Sequence, residues 1–163
     1  MPTAPTALPP ELDDFDRHIL HRLQQDCQQS AERIGAEVGL SASAVQRRIK
    51  RLRAQGGIQS EVAVLNSALA SPSVTLVVGL EFGHDNYPAL AAMRQRVTQD
   101  VAVQQMYYVT GQSDLVAIVH ARDMPAYDAW CAQLMRDVPQ IRRITTQVVI
   151  EALKRGLAVP VVR

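Results

Sequence analysis

The sequence predicts an α+β chain made of two unlike parts, and three observations carry that prediction. Between Leu12 and Leu52 the apolar residues recur at helical spacing in three short runs. The second and third runs are separated only by Gly39-Leu40-Ser41, a corner between two helices. From Val74 onward, β-branched runs alternate with helical runs in the order β-α-β-β-α-β.

The first helix is expected between Leu12 and Asp26. Phe15, Ile19 and Leu23 share one face, with Leu20 beside them. Asp13 is placed to cap it, and Asp14 and Asp16 suit the positive end of the helix dipole. Ser30 caps a short second helix whose apolar face is Ala31, Ile34 and Val38. Gly39 can end it in the left-handed conformation. Ser41 opens the third helix, whose inner face is Val45, Ile49 and Leu52, and Gly56-Gly57 stop it. Ile58 to Val64 alternates weakly and is expected as an extended wing. Residues 11–64 therefore predict a winged helix-turn-helix. A hinge is expected over 65–73, where Ser, Ala and Pro break the pattern. Residues 1–10, rich in Pro, Thr and Ala, are expected as a disordered tail.

Residues 74–163 predict a ferredoxin-like βαββαβ sandwich. Strands are expected at Val74–Phe82, Val101–Thr110, Leu115–Ala121 and Ile141–Ala152. One helix carries Tyr87, Leu90, Met93 and Val97 on a single face. The other is capped by Asp123, carries Tyr127, Trp130 or Cys131, Leu134 and Val138, and ends at Pro139. Turns are expected at Gly83–Asn86 and Gly111–Asp114. Tyr107 and Tyr108 point to opposite faces of their strand, so one can face a partner or ligand. Both helices on one face of the sheet leave the other face uncovered. In so short a chain its simplest cover is a second copy, so a homo-oligomer is expected.

Composition narrows the function. With 47% hydrophobic and 20% charged residues in 163, the chain reads as globular. No run of about 18 apolar residues suggests a membrane span. The first ten residues lack the basic and apolar regions of a signal peptide, so a cytoplasmic protein is expected. Cys27 and Cys131 lie far apart, without metal or redox spacing. His18 and His21 stand one helical turn apart without a third ligand, so neither metal nor cofactor is expected.

The net charge of +1 hides a strong asymmetry. Ser41 to Ala54 holds five basic residues, Arg47, Arg48, Lys50, Arg51 and Arg53, and no acid. Ser43, Gln46, Arg47 and Lys50 are spaced i, i+3, i+4 and i+7, opposite the apolar face, with Arg48 and Arg51 beside them. Such a helix fits the major groove of double-stranded DNA. Lys and Arg neutralise phosphates, Gln46 can pair with adenine, and Arg47 with guanine. Ser41 and the helix N-terminus can hold a phosphate.

The chain resembles the Lrp/AsnC family of leucine-responsive and asparagine-responsive regulators. The resemblance rests on Leu12-Asp13 to Leu20, Val38-Gly39-Leu40-Ser41, Arg48-Ile49 to Leu52, Gly56 and Ile58, and Gly111-Gln112-Ser113-Asp114. It implies a DNA-binding transcription regulator that forms dimers assembling further, often into octamers, and that responds to amino acids. Gly111 to Asp114 matches the family's Gly-x-x-Asp loop, near an effector pocket between dimers. The resemblance thus points to Tyr107, Thr110, Gly111, Gln112, Ser113, Asp114 and Leu115 as effector residues. Asp114 would pair with an ammonium group, and Ser113, Thr110 and backbone N–H groups with a carboxylate. Leu115 stands where many members have Tyr, which favours an aliphatic or aromatic ligand side chain. Turn chemistry alone also allows a plain hairpin turn here.

Two other readings stand beside this one. An architectural protein could bind DNA without an effector. Some proteins of this two-domain layout are sirohaem decarboxylases, but that activity needs no basic helix face. The sequence also singles out no Ser/His/Asp, Cys/His or paired-carboxylate constellation, so no enzyme is expected.

Overall fold

The computed structural model describes residues 11–66, 69, 73–83 and 86–161. The expected tail, most of the expected hinge and the middle of the Gly83–Asn86 turn lie outside the described residues. The chain forms two compact units. One runs up to Val64 and takes in the segment from Lys154 onward, and the other is Leu65–Leu153.

The first unit holds α1 (Asp14–Gln25), α2 (Ala31–Val38) and α3 (Ala42–Ala54). Each begins at the expected cap. Asp13 accepts from the backbone N–H of Asp16 at 2.8 Å, and the Asp16 carboxylate accepts from Asp13 N–H at 3.3 Å, a reciprocal capping box. Ser30 and Ser41 cap α2 and α3 through Arg33 N–H and Ala44 N–H, each at 3.3 Å. Gly39 ends α2 at φ 76°, where a side chain would strain the backbone. Gly35 has a different reason: a Cβ there would stand 2.4 Å from the carbonyl oxygen of Leu40. Its bare backbone lets the α2–α3 turn close.

The apolar core of this unit is small, centred on Ile19, Ile34 and Val45. A buried charge supplements it. Asp16 is 1% exposed, accepts from Arg48 Nη1 at 2.8 Å and also pairs with Arg51. Arg48 reaches Asp13 at 2.7 Å and lies over the Phe15 ring, 5.4 Å from its centroid. This clamp ties the middle of α3 to the start of α1. The expected wing over 58–64 forms no strand, because this stretch finds no ladder partner among the described residues. The end of the chain joins the helical unit instead. The Gln24 side chain donates to the carbonyl of Val159 at 3.0 Å and accepts from its N–H at 2.7 Å.

The second unit holds β1 (Val74–Phe82), α4 (Asn86–Val97), β2 (Val103–Tyr108), β3 (Leu115–Ala121), α5 (Met124–Asp137) and β4 (Ile141–Val148). The sheet order is β2-β3-β1-β4, with every neighbouring pair antiparallel. β2 and β4 are shorter than expected. Residues ahead of Val103 turn instead, and Val103 N–H bonds the carbonyl of Asp100 at 3.2 Å. β4 ends where its partner β1 begins; Val149 N–H still reaches the carbonyl of Thr75 at 2.9 Å. Leu76, Val78, Leu80 and Phe82 of β1 are buried with Leu115, Ala117 and Val119 of β3, under Ala89 and Met93 of α4 and Tyr127 and Leu134 of α5. Both helices thus cover one face. The residues between, such as Val77, Gly79 and Glu81, stay half-exposed on the other.

Candidate nucleic-acid interface and effector cleft

Helix α3 is amphipathic in charge as well as in polarity. Val45 and Leu52 are fully buried, and Ser43, Gln46, Arg47 and Lys50 are exposed. Among the described residues no acid holds Arg47 or Lys50, so both cations are available to an anionic partner. The other three expected DNA contacts are already engaged. The Ser41 hydroxyl caps the helix and lies 3.2 Å from that of Ser43. Arg48 and Arg51 turn toward Asp16, with side chains 22% and 43% exposed. The count of basic residues could not show this, because the pairing acids lie more than thirty residues away, at the start of another helix.

The β2–β3 connection differs more from expectation. Asp114 was expected to face a ligand's ammonium group. Its carboxylate instead accepts from Phe82 N–H at 2.7 Å, its N–H bonds the carbonyl of Leu80 at 2.9 Å, and its carbonyl receives Val109 N–H at 3.0 Å. It clips the loop to the end of β1. Leu115, expected to line the pocket, is 2% exposed in the core under the helices. The register explains this: Leu115 pairs with the inward-facing Leu80, and its neighbour Val116 with Gly79 on the open face. Tyr107 shares that open face opposite Val116, and its hydroxyl donates to Gln105 at 2.7 Å. Thr110 and Gly111 are exposed, with Gly111 at φ 124°.

Gln112 and Ser113 are the expected effector residues that meet a cavity. Ser113 lies over Gly79 so closely that a Cβ on the glycine would stand 2.5 Å from its Oγ. Beneath them is a cleft of about 220 Å³ on the open sheet face. Val77, Gly79 and Glu81 of β1 and Val116 of β3 form its floor, and Arg143, Thr145 and Gln147 of β4 one wall. Glu81 and Arg143 are cross-strand neighbours, with Nη1 3.8 Å from Oε1. Sequence reasoning missed the β1 and β4 residues. Counting by twos along β1 finds Glu81, but β4 shows no clean alternation from which to choose a face.

The remaining candidates are accounted for locally. His18 and His21 border a cavity of about 300 Å³ with Asp14, Arg17 and Val161. No group of three or more metal-capable side chains comes together among the described residues. Tyr127 stacks on Trp130 at 5.8 Å, and Trp130 donates to Asp100 at 2.8 Å. Burial pushes the Cys131 thiol up from its ordinary value, away from the reactive thiolate. No helix among the described residues is long and apolar enough to cross a membrane.

Comparison with known proteins agrees with both units. The AsnC-type helix-turn-helix domain matches residues 12–53, and the Lrp/AsnC ligand binding domain matches residues 75–159. The chain is 30% identical over 151 residues to an HTH-type transcriptional regulator of Sinorhizobium fredii, covering 93% of this chain and 89% of the relative. An AsnC-family transcriptional regulator from Agrobacterium tumefaciens shares the fold at TM-score 0.82 and 27% identity, over 91% of this chain and 97% of that one. A transcriptional regulator from Neisseria meningitidis, solved in complex with L-methionine, shares the fold at TM-score 0.82 and 20% identity, over 92% and 97% of the two chains. Both family domains occur here in order, and a relative aligns along nearly the whole length: the chain belongs to the Lrp/AsnC family of DNA-binding transcription regulators.

Proposed function

We propose that α3 reads the major groove of double-stranded DNA and that the sheet unit assembles the protein and senses a small molecule of the amino-acid class. The observation that carries the DNA reading is the exposed row Ser43, Gln46, Arg47 and Lys50, backed by buried Val45 and Leu52. Lys50 and Arg47 supply phosphate attraction, and Gln46 and Arg47 have the donors that base edges require. Arg48 and Arg51 act mainly by fixing α3 through Asp16. The protein acts as a regulator rather than an enzyme, in the cytoplasm where its DNA is.

The open sheet face supports a homodimer, because a second copy is its simplest cover. Two recognition helices then address half-sites about one helical turn apart, or a multiple of that. Family resemblance supports further assembly, up to an octamer. The ligand-binding domain match and the methionine-bound Neisseria relative support an amino-acid effector. Such a ligand changes DNA binding only if it prefers one assembly state over another.

The test is operator binding by variants across a salt series. Lys50→Ala should weaken all sequences evenly and reduce the salt slope by about one. Arg47→Ala should cost about 1–3 kcal/mol and relax preference at one base pair. Undiminished binding by the double variant would remove α3 from the groove.

A further inference from the structure

The chain leaves the helical unit after Val64 and returns to it at Lys154, so the two units are joined twice. The first join cannot be undone. The second restrains the helical unit only while the segment from Lys154 onward stays docked. Gln24, exposed on α1, holds that segment by the backbone of one residue. Its side-chain N–H donates to the Val159 carbonyl at 3.0 Å, and its side-chain oxygen accepts from the Val159 N–H at 2.7 Å. One side chain thus satisfies both polar groups of a residue that lies in no helix or strand. Pro160 follows, with no N–H to satisfy. Val161 is half-buried and borders the cavity lined by Asp14, Arg17, His18 and His21 of α1.

The attachment is light. Residues 154–160 are all exposed, and both Gln24 bonds lie at the surface. Exposed hydrogen bonds compete with water, so each contributes modestly. A segment held this way is docked most of the time yet opens easily, unlike a strand in the sheet. Docking also closes a loop of chain that runs from one unit through the other and back, and closing a loop removes conformational freedom. From this geometry we infer that the C-terminal segment is a releasable strap, latched by Gln24, that limits how freely the helical unit reorients against the sheet unit and so narrows the half-site spacings two α3 helices can bind together. The DNA consequence rests on the proposed major-groove reading by paired helices; the strap itself does not. Because Gln24 meets backbone groups, the side chain at 159 is not what it recognises. Anything that binds the undocked form better releases the helical unit.

Three full-length variants test it. Gln24→Ala removes both bonds, Val159→Pro removes the N–H, and Val159→Ala changes the side chain while keeping both backbone groups. Hydrogen exchange at residue 159 should be slow in the native chain and in Val159→Ala, and about tenfold faster in Gln24→Ala. Backbone ¹⁵N relaxation should show the helical unit tumbling more independently of the sheet unit in Gln24→Ala and Val159→Pro, at an oligomeric state unchanged by sedimentation. Equal tumbling in the native chain and all three variants would overturn the strap. A Val159→Ala that behaves like Gln24→Ala would overturn the backbone latch. The DNA arm uses a duplex with two half-sites selected from random sequence, and the same duplex with their separation changed by about five base pairs, half a helical turn. The native chain should lose about tenfold or more in affinity on that change, and the two released variants about threefold or less. Equal losses would overturn the spacing consequence. A native chain that binds neither duplex would remove the DNA reading and this consequence with it, and the relaxation result would still decide the strap.

Discussion

The helical unit and the sheet unit expose their candidate functional residues by opposite routes. On α3 the face is set by the helix alone: once Val45 and Leu52 are inside, Gln46, Arg47 and Lys50 must be outside. On the sheet the face is set by pairing, and one step along the chain exchanges core for cleft. Leu115 is buried and Val116 meets the cleft. The units also differ in what holds them. The sheet unit has a broad apolar core between sheet and helices. The helical unit has a small one, reinforced by the Asp13, Asp16, Arg48 and Arg51 clamp. A buried ion pair contributes little over a well-packed apolar contact, but breaking one side of it is costly. The helical unit is therefore the one whose stability a single charge change can undo.

The largest effect expected is in the sheet unit. Leu115→Ala removes a buried side chain and should cost about 2–5 kcal/mol in denaturant unfolding. Val116→Ala, one residue on, should cost clearly less. Equal costs would mean that the two faces are not distinguished as the register states. Next comes Asp16→Ala, with an expected loss of about 3 kcal/mol, at the low end for a broken buried pair because Arg48 and Arg51 still reach water. Scanning calorimetry should show the loss in the helical unit, with DNA binding falling along with it. A transition unmoved by this change would show that the clamp is not what holds α3.

The smallest effect concerns acid. The backbone N–H of Asp16, with help from Arg48, holds the Asp13 carboxyl below its ordinary value of 3.8. A depressed folded value makes the contribution fully present above that pH, and lost as the pH falls through the folded value. Asp123, capping α5 through Ala126 N–H, is lowered in the same way in the other unit. Asp13→Asn keeps the cap acceptor and removes the titration. Helicity followed from pH 5 downward should then fall less steeply below about 3.8 in the variant. Identical acid limbs would show that Asp13 is not coupled to folding.

Much of this molecule was legible in its residues. The caps Asp13, Ser30, Ser41 and Asp123, the left-handed Gly39, and the full spans of β1 and β3 follow from neighbours a few positions apart, and the structure agrees at each. The exposed row on α3 was legible for the same reason: helix periodicity is a local property, and it sorts a face without knowledge of any partner. Tertiary structure decided the rest, because each remaining feature joins residues distant in sequence. Arg48 and Arg51 could serve either phosphate or Asp16 until α1 was packed against α3. The Asp114 carboxylate could stand free or clip its loop until β1 brought the Phe82 N–H to it, and Arg143 joins Glu81 only through the β1–β4 register. Composition and spacing state which groups a chain owns; burial and register determine which of them are already satisfied and which still face outward.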